Sequence, residues 1–235
     1  MSMTASGLFV TGTDTGAGKT WAALALMAAC QALGKRVAGM KPVASGCEET
    51  EEGPRNGDAL CLQAQSSGAN AYALVNPYAF VPPIAPHIAA ELSGTEITLS
   101  VIAEAYHALA RRNDVVVVEG IGGWRVPLGK RTTLADLVRT LNLPVILVVG
   151  MRLGCINHAL LTVEAIMADG VPLAGWMASA IDPAYQEPDR TLATLSARIC
   201  KPLLGVLPFA ETLDVDRMAE RISPRFLQAG SLQDI

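Results

Sequence analysis

Two kinds of apolar segment alternate along the chain. Short runs of β-branched and aliphatic residues, such as "LFVTG" (8–12), "VVVVE" (115–119) and "VILVVG" (145–150), leave almost no position for a solvent-facing side chain. Strands covered on both faces, as in a parallel sheet between helices, have this pattern. "RVAGMKPV" (36–43) reads as the second strand, and "LAGWMASAI" (173–181) and "LLGVLP" (203–208) as weaker ones. The longer segments between them have helical composition. Residues 18–33 are rich in Ala, Leu and Met and stop at Gly34, a glycine cap. Further helices are predicted over about 97–112, 132–142, 155–169 and 188–200, with one more near 214–227. Trp21, Met27 and Leu33 read as core positions of the first helix.

This alternation predicts an α/β fold with a doubly wound, mostly parallel sheet, and residues 1–235 read as one domain. Ligands of such folds bind beyond the carboxyl ends of the strands. The polar, glycine-rich segments GTDTGAGKT, KPVASG and EGIGGW each follow a predicted strand, so three chemically distinct loops converge on one edge. "SGCEETEEGPRNGD" (45–58) reads as a polar, mobile insertion. "NPYAFVPPIAPH" (76–87) reads as an extended, rigid, proline-rich loop.

Composition narrows the function classes. Half the residues are apolar (51%) and only 17% are charged, which suits a well-buried core. A net charge of -4 argues against a nucleic-acid surface or a polybasic membrane patch. The five cysteines are odd in number and include no CxxC, so neither a disulfide framework nor a structural zinc site is expected, and a cytoplasmic setting is. The amino terminus has no signal-peptide pattern, and "PVILVVGM" is too short to span a bilayer. The three histidines share no metal-ligand spacing, and no GxSxG nucleophile motif occurs.

The first glycine-rich loop is off by one from the phosphate-binding pattern G-x-x-x-x-G-K-[ST]. Thr13 stands where that pattern has glycine, and the glycine is Gly12. The mechanism survives the shift. Gly16 and Gly18 let backbone N–H groups turn inward, Asp14, Thr15 and Ala17 complete the loop, Lys19 supplies a cation, and Thr20 offers a hydroxyl to Mg²⁺. The polar Thr13–Thr15 stretch suggests that more than phosphate is read there. Glu119 closes an apolar strand, as a metal-binding acid of a P-loop protein does, or else caps its loop. Asp58 is a second metal candidate, or else a solvated loop acid or a helix N-cap. Gly120, Gly122 and Gly123 allow close backbone approach to a ligand. Lys41 closes the second strand and points either into the site or, snorkelling, to solvent. Ser45 follows in the same loop. Asn157 and His158 sit where another strand passes into a helix and are ligand candidates or plain helix-start residues.

Together, "VTGTDTGAGKT", "AGMKPVASG", "NPYAFVPPIAPHIA", "VVVVEGIGGWRVPL", "LPVILVVGMRLGCINHALLT" and "PLAGWMAS" resemble, in order, the dethiobiotin synthetase family of biotin biosynthesis. The displaced glycine is the form this family uses. The resemblance implies a P-loop NTPase-like fold and an ATP- and Mg²⁺-dependent closure of the ureido ring on 7,8-diaminopelargonate with CO₂. An amine takes up CO₂ as a carbamate, the carbamate attacks the γ-phosphate, and the second amine closes the ring and expels phosphate. It assigns the γ-phosphate to Lys19, carbamate and γ-phosphate to Lys41, and substrate contacts to Thr15 and Ser45. Thr20, Asp58 and Glu119 take the metal-associated positions. It further implies a homodimer, with Asn157 of one chain reaching toward the substrate of the other. Where the family often reads V-A-N-D, its asparagine contacting adenine, this chain has Ser179, and looser base selection is expected. Pro208 is expected on the base side.

Three other readings fit less of the sequence. An amidating synthetase of corrin-type carboxylates needs a glutaminase domain, and no room for one follows residue 209. A partition-type ATPase needs an additional lysine early in the phosphate loop, and 12–17 holds none. A small-molecule kinase needs an arginine-rich lid, and none is visible.

Overall fold

The computed structural model describes residues 6–223. In chain order the strands are β1 (Ser6–Gly12), β2 (Val37–Met40), β3 (Val43–Ser45), β4 (Tyr78–Phe80), β5 (Val115–Gly123), β6 (Val145–Met151), β7 (Leu173–Ala180) and β8 (Leu203–Leu207). The helices are α1 (Lys19–Ala32), α2 (Gly57–Gln65), α3 (Tyr72–Val75), α4 (Pro86–Leu92), α5 (Leu99–Ala110), α6 (Leu134–Leu141), α7 (Cys155–Ala168), α8 (Pro188–Arg198) and α9 (Val215–Ala219). Six strands form one sheet in the order β2-β5-β1-β6-β7-β8, and every pairing in it is parallel. All six carboxyl ends therefore lie along one edge.

The unbroken apolar runs follow from helices on both faces. Successive side chains of a strand point to opposite faces. Phe9, Val116, Val118 and Leu147 pack with α5, α6 and α7, while Leu8, Val10, Val117, Ile146 and Val148 pack with α1 and α9. Met27 is buried as expected, but Leu33 is half exposed. Leu33 is the C-cap of α1, where the helix has left the sheet.

The segment 36–43 is not one strand. β2 stops at Met40, and Lys41-Pro42 carries the chain into β3, which pairs with β4 in a separate two-stranded parallel sheet. Pro42 has no N–H to continue a ladder, and the Lys41 N–H turns to the carbonyl of Val75 at 2.8 Å. β4 thus forms inside the proline-rich stretch, and the loop reading of 76–87 holds only for part of it. The polar stretch 45–58 is a small hairpin, closed by reciprocal backbone bonds of 2.8 Å between Glu48 and Arg55. The helix expected near 214–227 is α9, and the end of that span lies outside the described residues.

α2 crosses β2 at Gly39. A Cβ on Gly39 would lie 2.8 Å from Leu62 Cβ and 3.0 Å from the Leu62 carbonyl oxygen. The missing side chain sets how closely α2, which carries Asp58, approaches the strand that leads to Lys41. Gly39→Ala is expected to destabilise the protein by about 1–3 kcal/mol through overpacking. A urea titration checks this, and an unchanged midpoint refutes the tight packing described.

Candidate functional site

β1 delivers the chain into the phosphate loop at the middle of the sheet. The Thr13 N–H is tied to the carbonyl of Val148 on β6 at 3.0 Å. Gly16 (φ 73) and Gly18 (φ 88) are both left-handed, where a side chain is strained. Nothing lies within 4 Å of a Cβ at Gly16, so backbone conformation alone requires that glycine. At Gly18 space is also short, because a Cβ would sit 2.2 Å from Ser179 Oγ. α1 then begins with no side-chain cap and no acidic residue in its first turn. Its amide N–H groups and positive dipole end face the cleft, a fitting seat for phosphate.

Lys19 folds back over the loop and donates to the carbonyl oxygen of Asp14 at 2.8 Å. Burial, and next the charge of Lys41, lowers its pKa to about 8, against the pull of Glu119, Asp58 and Asp14. The Asp14 carboxylate accepts from the Thr15 N–H at 2.7 Å and from Arg152 at 2.6 Å. It braces the loop against β6, and Arg152, unmarked in the sequence, is the brace's other half.

Beside the loop lies a buried charge cluster. Glu119 is 0% exposed on β5 and Lys41 is 4% exposed just after β2, so Lys41 does not snorkel to solvent. Its ammonium group bonds to Glu119 Oε1 and, at 3.0 Å, to Asp58 Oδ2. The Thr20 hydroxyl donates to the same Glu119 oxygen at 3.0 Å. Asp58 stands in the first turn of α2, and the N-cap of that helix is Asn56, whose Oδ1 accepts the Ala59 N–H. Asp58 is therefore neither in a loop nor a cap, and its side chain stays partly exposed while it pairs with Lys41. Burial draws the Lys41 pKa down, but Glu119 and Asp58 more than offset it and hold it above the ordinary lysine value. Burial likewise pushes Asp58 up, and Lys41 overrides this to leave it below the usual carboxylate range. For Glu119 burial prevails over Lys41, and its carboxyl is held above that range.

Thr20, Asp58 and Glu119 present hard oxygen donors of the kind Mg²⁺ takes. Glu119 Oε2 is buried with no hydrogen-bond partner among the described residues, so its lone pairs are unused. No group of three or more His, Cys, Asp or Glu among the described residues suits a metal. Two carboxylates and a hydroxyl are thus a partial shell, to be completed by phosphate oxygens and water, as Mg²⁺ sites of nucleotide enzymes are. The residues fit that ion.

One cleft of about 570 Å³ joins these parts. Thr15, Gly16, Gly18, Lys19 and Thr20 line it from the loop; Lys41, Ser45 and Asp58 from the β2 side; Glu119 and Gly122 from β5; and Ser179 from β7. Several of the residues predicted for the site do not line it, Gly120, Gly123 and His158 among them. Asp14 is braced as described, and Ala17 is buried beneath the loop. Pro208 precedes Phe209, which does line the cleft, and Asn157 is exposed in the first turn of α7. Gly120 serves the core, not a ligand, since a Cβ there would meet Phe9 at 2.9 Å. On the β7–β8 side, away from Lys41, the cleft is lined by the apolar residues Ile181, Phe209 and Leu213, and α1 adds Trp21 and Leu24 to its lining. Trp21, read as core, is half-buried and belongs to this lining. Apolar residues scattered over three separate segments carry no sequence signal for a shared pocket.

Two kinds of likeness agree with this geometry. Among solved structures, the cell division protein FtsY from Thermotoga maritima superposes with a TM-score of 0.53 at 16% identity, over 94% of this chain and 69% of that one. The signal recognition particle 54 kDa protein from Aeropyrum pernix gives 0.51 at 14% identity, over 100% of this chain and 49% of that one. At such identities the likeness is one of fold, the P-loop NTPase fold. The sequence family described as "AAA domain" matches residues 6–217. ATP-dependent dethiobiotin synthetase BioD of Pseudomonas aeruginosa is 52% identical over 94% of this chain and 98% of its own. The protein of the same name from Xanthomonas euvesicatoria is 50% identical over 90% of this chain and 94% of its own. Such identity over nearly the whole length of both chains places the chain in the family of ATP-dependent dethiobiotin synthetases, which are ATP-dependent ligases.

Proposed function

We propose that this enzyme condenses 7,8-diaminopelargonate with CO₂ at the expense of ATP, closing the ureido ring of dethiobiotin and releasing ADP and phosphate. One amine adds to CO₂ and loses a proton to become a carbamate. A carbamate oxygen displaces ADP from the γ-phosphorus, giving a carbamic–phosphoric anhydride. The second amine attacks the carbonyl carbon, and phosphate leaves. The observation that carries this reading is the convergence of two buried lysines, Lys19 and Lys41, beside an uncapped helix start, in a chain half identical to named synthetases. Two anions, triphosphate and carbamate, must be held together in that space.

The roles follow from position. Loop amides from Gly16 to Lys19 and the start of α1 take the phosphates. Lys19 neutralises charge developing at the γ-phosphoryl group, and Lys41 holds carbamate and γ-phosphate together. Thr15 and Ser45, at the cleft wall, orient the diamine. Thr20, Asp58 and Glu119 would hold Mg²⁺, which offsets charge on the β- and γ-phosphates when bound. No side chain stands out as a general base, and orientation of an amine against a held anhydride supplies much of the rate. The apolar β7–β8 side of the cleft takes the base. There Ser179 offers one hydroxyl, too little for a two-point contact with adenine.

The described residues act here as a single synthetase domain in the cytoplasm, paired as a homodimer. Exposed Asn157 and, just before it, Leu153 (92% exposed) support a partner subunit against the α7 start. A solution mass of one chain would remove that part of the proposal.

Phosphate release by the purified enzyme is expected to require ATP, Mg²⁺, bicarbonate and diaminopelargonate together. Release that needs neither the diamine nor bicarbonate overturns the synthetase reading. In the same assay CTP, GTP and UTP are expected to work within about tenfold of ATP, because apolar surface with one hydroxyl lacks the two-point contact that tells bases apart. A strong preference for ATP over all three refutes the role given to Ser179.

Lys41→Ala is expected to abolish dethiobiotin formation while leaving nucleotide binding. It is also expected to cost about 3–5 kcal/mol of stability, because Glu119 loses its buried counter-ion. Adding Glu119→Gln removes the uncompensated carboxylate and should recover much of that loss. Chemical denaturation of the two variants decides, and a double variant no more stable than Lys41→Ala contradicts the charge account.

A further inference from the structure

Lys41 and Asp58 meet in the cleft, yet they arrive on different segments, and a chain of hydrogen bonds behind the site joins the two. The Asn56 N–H donates to the Tyr72 hydroxyl at 2.7 Å. That hydroxyl donates to Asn76 Oδ1 at 2.9 Å. The Asn76 amide group donates to the Lys41 carbonyl at 2.6 Å and to the Tyr78 carbonyl at 3.2 Å. The direction of every bond is fixed. Carbonyls only accept, so the Asn76 NH₂ must face them, and its oxygen then faces the tyrosine. Tyr72 must donate there, which leaves its lone pairs for the Asn56 N–H. Burial holds the Tyr72 phenol above its ordinary pKa, so the donor proton stays in place.

Both ends of the chain are anchored close to chemistry. Asn56 caps α2 two residues before Asp58. Lys41 is gripped at its carbonyl by Asn76 and at its N–H by the carbonyl of Val75. Asn76 is itself buried (3% exposed) and precedes Pro77, which keeps its backbone out of the helical region (φ -134, ψ 78). Arg55 stacks on the outer face of the Tyr72 ring, 4.3 Å from its centroid. With the 3.0 Å contact from Lys41 to Asp58, the links close into a ring.

We propose that Tyr72 and Asn76 are positioning residues that set the separation of Lys41 from Asp58 and so place the Lys41 ammonium group for phosphoryl transfer. The proposal rests on the synthetase reading above for the reaction that is measured. Neither residue lines the cleft, so neither is expected to touch substrate.

Tyr72→Phe tests it with the least disturbance, since the ring and its stacking remain and only the hydroxyl goes. The expected result is a fall in kcat of about tenfold or more, as small displacements of catalytic groups produce. KM for ATP should stay within about twofold and the melting temperature within about 4 °C. Asn76→Ala should lower kcat likewise, and the double variant should fall no further than the worse single one, because both break the same chain. Amide hydrogen exchange at residues 56–60 and at Lys41 should accelerate in Tyr72→Phe, with protection elsewhere unchanged. Wild-type kcat in Tyr72→Phe overturns the proposal, whatever the stability. If Asn76→Ala does not fold, Tyr72→Phe alone carries the test. If the wild-type enzyme forms no dethiobiotin, the functional reading fails by itself. Exchange then decides the positioning role, and unaltered exchange at 56–60 and Lys41 overturns it.

Discussion

The pairing of the Lys41 ammonium with Glu119 and Asp58 is the constraint around which the catalytic edge is arranged. A carboxylate with no exposure and a lysine with almost none are costly to bury singly and tolerable only as partners. Their meeting demands that β2 end beside β5, that Pro42 release the chain from the sheet, and that α2 come close enough for Asp58 to join. Gly39 grants α2 that approach, and the Thr20 hydroxyl brings the first turn of α1 into the same cluster. The buried pair therefore connects the glycine-rich loop and α1 to the β2 side of the cleft, and the groups that hold the fold at this edge are the same charged groups that line it.

Most of the sheet was legible because burial on both faces leaves a plain mark. The runs at 8–12, 115–119 and 145–150 could be little else. The phosphate loop was legible too, since left-handed turns at Gly16 and Gly18 leave few alternatives to glycine. Less legible was whatever depends on contacts between distant segments. The direction of Lys41 stood open because a lysine beside a proline gives no sign of the carboxylates it will meet. The role of Asp58 stood open because its helix, α2, is short and only weakly amphipathic in sequence, and Asn56 was not marked as its cap. Gly120 read as a ligand contact because a missing side chain looks the same whether a ligand or Phe9 fills the space.

The two ends of the cleft are built by different physics. At the Lys41 end, fixed charges and backbone amides demand matching partners, and residue identities there are tightly bound to chemistry. On the β7–β8 side Ile181, Phe209 and Leu213 offer apolar surface with no fixed charge to match. Gly18 and Ser179 touch where the two halves meet, so the left-handed turn before α1 rests directly on β7.

The hairpin between Glu48 and Arg55 has a consequence for how such a chain can diverge. Its base is pinned on both sides: Gly46 and Cys47 bond to the carbonyls of Pro82 and Phe80, and Asn56 bonds to Tyr72. Between those anchors the chain makes a local turn at the cleft's rim. Lengthening a closed loop is cheap, about 0.6 kcal/mol for each doubling. Residues 49–54 are thus a place where evolution can add or delete chain, reshaping the entrance to the cleft without moving the lysine or the aspartate that flank it.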